Sequence, residues 1–323
     1  MKFSDFTPSL RHGAKIMPED VAGIVGLPSV GNIFYVDPGA GSDTANSGTS
    51  RDDAFATVTA AYAALTADQD DVVVICPSSS TGRTSEAASI NWAKRRTHII
   101  GNGPVRTGWN RAGINFASGA TSPSFTVSAT NCSFTNIIIA NFADINVLVN
   151  VTAAYNTFNY VHFAGIANAT TGADTAGRSL VITDADDNQF NNCMFGVDTV
   201  LNSAANAIVE LIGNTAVART QFNNCIFTTV GDDATIRWVL FTGAYASEVY
   251  TLFRSCMFLN TRGGSTGLTV GMTIGASTNG KIIIDNSWWL GATDLADVIT
   301  SLYVNNHVVD AGDAGVMIIH SNS

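Results

Sequence analysis

The chain has 323 residues, a net charge of −10 and only 13% charged residues, about half the roughly 25% typical of soluble domains. That balance excludes a nucleic-acid binder, since neutralising phosphates requires clustered Lys and Arg. The one dense basic run, Lys94-Arg95-Arg96, reads as a solvated edge. A chain this long exceeds the usual single globular domain, but a solenoid escapes the limit because each repeat packs only on its neighbours.

The opening MKFSDFTPSLRHGAK has no apolar core and carries Asp5, so it does not read as a signal peptide. No stretch approaches the roughly 18 uncharged apolar residues of a membrane helix. Synthesis in a cytosol is the expectation. Residues 1–32 show no sustained periodicity and carry Pro8, Pro18 and Pro28. They read as an arm outside the main fold, either a disordered tail or a docking segment.

Residues 33–70 follow as an N-terminal strand and capping helix. Ile33-Phe34-Tyr35-Val36-Asp37 has strand character, then Pro38 to Thr49 is a Gly/Ser/Asp/Asn loop. Ser50 with Asp53 three residues on resembles a capping box, and Phe55, Val58, Tyr62 and Leu65 fall on one helical face. Asp71-Val72-Val73-Val74-Ile75-Cys76-Pro77 then reads as a buried strand.

The order Tyr35-Val36-Asp37-Pro38, Gly41-Ser42-Asp43, Ser47-Gly48-Thr49-Ser50, Phe55 with an Ala-rich helix, Asp71-Val72-Val73-Val74 and later Thr97-His98-Ile99-Ile100-Gly101 resembles the opening of pectate-lyase-like β-helix proteins. The resemblance spans roughly residues 33–101. It implies an all-β chain, a single-stranded right-handed parallel β-helix whose short helix covers the open end of the first coil, of the kind also found in tailed-phage virion proteins.

Residues 71–310 carry a repeat. Phe190-Asn191-Asn192-Cys193-Met194-Phe195 recurs at Phe222, Phe253 and Ile284, with weaker copies at Phe134 and Phe158. The first-residue spacings are 24, 32, 32, 31 and 31, a solenoid period. The first, fourth and sixth columns are apolar or small and should stack inside, in coils about 4.8 Å apart. The second column (Thr135, Asn159, Asn191, Asn223, Arg254, Asp285) should face water. The third is mostly Asn, which tolerates the left-handed conformation of a sharp bend. Cys193, Cys225 and Cys256 fill the fourth column as small hydrophobes. With Cys76 and Cys132 they make five, too few and odd in number for a disulfide framework. Residues 311–323 complete the chain as a C-terminal strand or cap.

The fifth column holds Ile138, His162, Met194, Ile226, Met257 and Trp288, and strand alternation points it outward. A contiguous apolar stripe usually marks an interface. Either loops fold back over it or identical chains pack along it, and we expect a homotrimer with these six residues at the oligomer interface.

Chemistry is sparse. Asp184, Asp186 and Asp187 crowd one turn, and Gly231-Asp232-Asp233 forms another; both read as solvated turns before they read as cation sites. Gly-His-Gly and Arg-x-Lys segments are absent, and nothing places Arg237 or Arg254 beside a carboxylate cluster. Of the five histidines, His98 follows a predicted strand, His162 lies in the outward column, and His12, His307 and His320 lie near the ends; none has a metal-ligand spacing. No Ser-His-Asp elbow, phosphate loop or CxxC pair occurs, so no metal or cofactor is expected. Trp92, Trp109 and Trp238 are candidates for lining a sugar groove.

Carbohydrate-active β-helix proteins are normally exported, and this sequence shows no export signal. The expectation is therefore a non-enzymatic phage virion protein, a capsid decoration (cement) or fibre-like subunit docked on the major capsid protein or another virion protein through residues 1–32. The alternative is a polysaccharide-binding or -degrading protein of the tailspike or lyase kind.

Overall fold

A repeat of about 31 residues is long enough for three short strands and their bends, and that is how each coil closes in the computed structural model. The structure describes residues 31–78, 82–109, 112–262, 267–274, 279–297, 301–305 and 308–309. The expected arm (1–32, save Gly31 and Asn32), His12, His307, His320 and the C-terminal cap (311–323) lie outside them.

Among the described residues all strands pair in parallel and stack into three sheets. Sheet 1 has ten strands, from Ile33–Val36 through Asp71–Ile75, Thr97–Gly101, Ser133–Thr135, Thr157–Asn159, Gln189–Asn191, Thr220–Asn223, Tyr250–Arg254 and Lys281–Asp285 to Leu302–Asn305. Sheet 2 has ten, from Arg83–Glu86 to Val308–Val309. Sheet 3 has eight, from Ile90–Trp92 to Ala292–Ala296. The chain visits sheets 1, 2 and 3 in turn, a right-handed parallel β-helix.

The sequence columns are the rungs. Phe134, Phe158, Phe190, Phe222, Phe253 and Ile284 are fully buried and in register across sheet 1. The rings of this column stack with centroids 4.7–4.9 Å apart. A second ladder, Phe163, Phe195, Phe227 and Phe258, runs beside it on sheet 2 at the same spacing. Parallel coils force like residues together, and offset rings at this distance gain attraction beyond area burial.

The bend between sheets 1 and 2 is left-handed at every coil that carries the repeat. Asn136 (φ 55°), Tyr160 (55°), Asn192 (54°), Asn224 (53°), Ser255 (53°) and Asn286 (48°) are its corner residues. Asn136 shows the chemistry, its Nδ2 donating to the Gly101 and Gly103 carbonyls at 3.0 and 2.9 Å. After the corner, Cys193, Cys225 and Cys256 are fully buried, and each thiol donates to a carbonyl of the preceding coil at 3.3–3.4 Å. Ser287 occupies the next rung and donates to the Phe253 carbonyl in the same way, at 3.3 Å. Burial pushes the Cys225 and Cys256 thiols well above their ordinary pKa. These thiols are core fillers.

The helix begins later than the sequence suggests. Ser50 makes no side-chain cap and precedes a single 3₁₀ turn, Arg51–Asp53. Helix α1 is Val58–Ala64, capped by Thr57, whose Oγ accepts from the Ala60 amide at 3.1 Å. The competing force is tertiary. Phe55 bridges to Val36, and the buried Glu86 carboxylate accepts from the Val58 and Thr59 amides at 2.8 and 3.2 Å, fixing the helix start there. Val58, Ala61 and Leu65 join the main core.

Candidate functional site

The outward column of sheet 2 divides into a covered half and an open half. Ile138 and His162 are fully buried and Met194 nearly so. The segment 102–109 covers them from within the same chain. Trp109 packs against the cluster of Ile138, Ala140, Ala164 and Val197 and meets the His162 ring edge-on at 4.9 Å, and a Cβ added at Gly108 (φ +95°) would sit 2.3 Å from the Met194 sulfur. These three of the six expected interface residues are thus satisfied internally, because the loop after the Thr97–Gly101 strand folds back along the stripe. Ile226 and Met257 are half-buried and Trp288 is exposed.

His162 is held in one protonation state. The Trp109 amide donates to Nδ1 at 2.9 Å, and Nε2 lies 2.9 Å from the Gly196 carbonyl. Burial pushes its pKa down to about 4. It is a neutral strut.

The acidic turns are structural too. Asp184 accepts from the Asn214 and Thr215 amides, both at 2.7 Å; burial pushes its carboxyl up, but these bonds outweigh it and hold the pKa below the ordinary value. Asp186 accepts from the Ala218 amide at 2.8 Å, and Arg219 clasps Asp187 at 2.6 and 2.7 Å. Asp233 accepts from the Thr235 amide at 2.7 Å, and Asp232 pairs with Arg262 at 2.9 Å. Arg237 donates to Thr273 and to the Ala234 and Ile236 carbonyls. Trp92 and Trp238 are fully buried core residues rather than groove linings. Among the described residues no group of three His, Cys, Asp or Glu side chains converges as a metal site, and no helix is long and apolar enough to cross a membrane.

The surface that gathers polar function is the outward face of sheet 1. Its second column forms a side-chain ladder: Asn191 Nδ2 donates to Asn159 Oδ1, and Asn223 Nδ2 to Asn191 Oδ1, each at 3.0 Å. The Asn223 Oδ1 ends that ladder buried and without a hydrogen-bond partner. On the next rungs Arg254 Nε lies 3.5 Å from Asp285 Oδ2, and Asn305 Nδ2 donates to Asp285 Oδ1 at 3.2 Å.

Here the face opens into a cleft of about 460 Å³ lined by Gln221, Tyr250, Leu252, Arg254, Ile283, Asp285 and Asn305. Gln221 Nε2 donates to the Tyr250 hydroxyl at 3.3 Å. Lys281 Nζ sits 5.4 Å from the centre of the Tyr303 ring beside it. The cleft lining therefore offers an aromatic edge, two amides, a guanidinium and one carboxylate. That carboxylate is already shared between Arg254 and Asn305. Paired carboxylates of the glycosidase kind are not built into this lining. Sequence reasoning placed Arg254 and Asp285 on the wetted column but missed Tyr250 and Gln221, which precede the repeated hexamer and carry no motif.

No family model matches the chain, and no curated protein sequence matches it. Solved structures do. The pectin methylesterase of Aspergillus niger aligns in two deglycosylated forms at 17% identity, over 90% of this chain and 92% of that one, with TM-scores of 0.52 and 0.51. Pectate lyase Pel9A aligns at 13% identity over 90% of this chain and 82% of that one, TM-score 0.44. A protein of Geobacillus virus E2, ORF18, aligns at 11% identity over 90% of this chain and 62% of that one; its TM-score of 0.33 carries no argument for a virion. The likeness establishes the parallel β-helix fold. It also corrects the expectation of a non-enzymatic chain: the structure it resembles with a TM-score above 0.5 is that of an enzyme, a pectin methylesterase, and at 17% identity that likeness carries the fold and no particular activity.

Proposed function

We propose that this chain is a polysaccharide-acting β-helix protein that holds its glycan along the outward face of sheet 1, across the Tyr250–Arg254–Asp285 cleft. The observation that carries the reading is the composition of that cleft. Sugars are recognised by an apolar or aromatic surface beside convergent hydrogen-bonding groups, and Tyr250, Leu252 and Ile283 lie beside Gln221, Arg254, Asp285 and Asn305. The amide ladder extends the polar track along neighbouring coils, one rung every ~4.8 Å, a spacing comparable to a pyranose unit.

The charge of this patch supports an acidic glycan. In a chain of net charge −10, the cleft lining holds one guanidinium, Arg254, and one carboxylate, Asp285, with Lys281 paired in register opposite Tyr250. A guanidinium on an open face pairs well with a uronate carboxylate. Affinity electrophoresis through gels containing acidic or neutral polysaccharides tests the reading. The acidic polymer should retard the native chain, and Arg254→Ala should weaken retention by about tenfold, as loss of one charge-assisted hydrogen bond predicts. Equal mobility of native and variant chains in every gel would refute it.

A further inference from the structure

At the other end of the same face, tertiary stacking assembles a serine, a histidine and an aspartate. Asp70 (φ 59°) and Arg96 (φ 52°) close equivalent left-handed turns immediately before the Asp71–Ile75 and Thr97–Gly101 strands. His98 lies within the second of these strands, not after it, and faces Ser133 in register on the next. Ser133 Oγ is 2.7 Å from His98 Nδ1. On the far side of the ring, His98 Nε2 is 3.5 Å from Asp70 Oδ1.

The environment fits a relay. Both Asp70 and His98 are buried, whereas Ser133 is half-buried on the outward side of the sheet. Asp70 is anchored by Arg96, whose Nε donates to Oδ1 at 3.1 Å. Burial pushes the His98 pKa below its ordinary value, opposed by Asp70, so the ring is neutral at pH 7. With its proton on Nε2, toward Asp70, the Nδ1 lone pair is free to accept from the serine hydroxyl. His98 Nε2 is buried without a full hydrogen bond, and such contacts tighten when charge develops on the imidazole.

We propose that Ser133 is a nucleophile for carboxylic esters, with His98 as its base and Asp70 as the positioning residue behind the ring. Ser133 Oγ attacks the ester carbonyl carbon while its proton passes to His98 Nδ1. The tetrahedral adduct expels the alcohol oxygen, which takes that proton, leaving an acyl ester on Ser133. Water then attacks this ester, gives a proton to His98, and releases the carboxylic acid as the proton returns to Ser133 Oγ. Asp70 stabilises the imidazolium formed in each half without being protonated. Ser133 shares its outward column with Thr157, Gln189 and Gln221, so an ester on a polymer held along this face can reach it. The inference rests on its own residues and does not depend on the cleft.

The test treats the full chain with a fluorophosphonate probe and, separately, with p-nitrophenyl acetate. The expected result is a single adduct mapped to the Ser133 peptide, and steady-state ester turnover that Ser133→Ala lowers by about 100-fold or more while its melting curve matches the native one. Asp70→Asn should lower kcat with KM unchanged and move the acid limb of the pH–rate profile downward, a shift that a merely structural aspartate would not cause. No adduct on the folded native chain, an adduct elsewhere, or full turnover by Ser133→Ala would overturn the proposal. Because the adduct is mapped on the native protein, the outcome does not hinge on any variant folding.

Discussion

Lowering the pH from 7 to 4 should loosen the segment 102–109 from the β-helix, because it hangs on a buried histidine that takes a proton only at a cost to its contacts. The Trp109 amide donates to His162 Nδ1, so protonation there sets two donors against each other inside a buried site. Burial is the main cause of the fall from 6.5 to about 4, aided by Arg83; the Gly196 carbonyl and Asp198 act the other way. In the unfolded chain His162 titrates near 6.5, so between that pH and about 4 the unfolded state binds more protons. The stabilisation is fully present above 6.5 and is lost as the pH falls toward 4, to a total of about 3 kcal/mol. Urea unfolding at intervals from pH 7 to 4, for the native chain and His162→Gln, measures it. Subtracting one curve from the other removes the carboxylates and His98, which titrate in both proteins. The native chain should lose about 3 kcal/mol relative to the variant over this range, with cleavage near residues 102–109 by an acid-active protease rising in step. A difference curve that is flat with pH would refute the reasoning.

Truncating one ring of the ladder, Phe190→Ala, opens a cavity between Phe158 and Phe222 and should cost about 3–5 kcal/mol, read as a lower urea midpoint; a cost under 1 kcal/mol would mean the coils collapse around the gap. The trimer proposed from the sequence now rests on the open end of the sheet 2 stripe, where Trp288 and Leu290 are 38% and 41% exposed beside Met257 and Leu259. Met257→Asp with Leu290→Asp should reduce an oligomer to monomers by light scattering with the circular dichroism spectrum unchanged, and an unchanged mass would count against packing through this face.

Columns were legible where coils repeat. A hexamer recurring every 31 or 32 residues carries its own register, so Phe134 to Ile284 could be assigned inward and the left-handed Asn corner located from sequence. The cap of α1 was less legible: Ser50 and Asp53 satisfy a local pattern, yet the Glu86 carboxylate, 28 residues beyond Val58, decides where the helix starts. The sheet 2 stripe was read correctly as outward-facing, but the strand pattern says nothing about a loop from an earlier coil lying on top of it. Trp92 and Trp238 were misplaced for the related reason that sheet 3, outside the repeated hexamer, has no obvious columns.

The sequence by itself determined the β-helix, because stacking makes each inward column a line of similar residues that periodicity exposes. It also indicated that the cysteines are filler, whereas the Asp184–Asp187 turn, read as solvated, is half-buried and bonded to the next coil. Only the tertiary structure decided what meets on the surface. Asp70, His98 and Ser133 are 28 and 35 residues apart, and Gln221, Arg254 and Asp285 belong to three coils. No local motif links them, since parallel stacking joins residues one full coil apart and the length of each coil is set by its own loops.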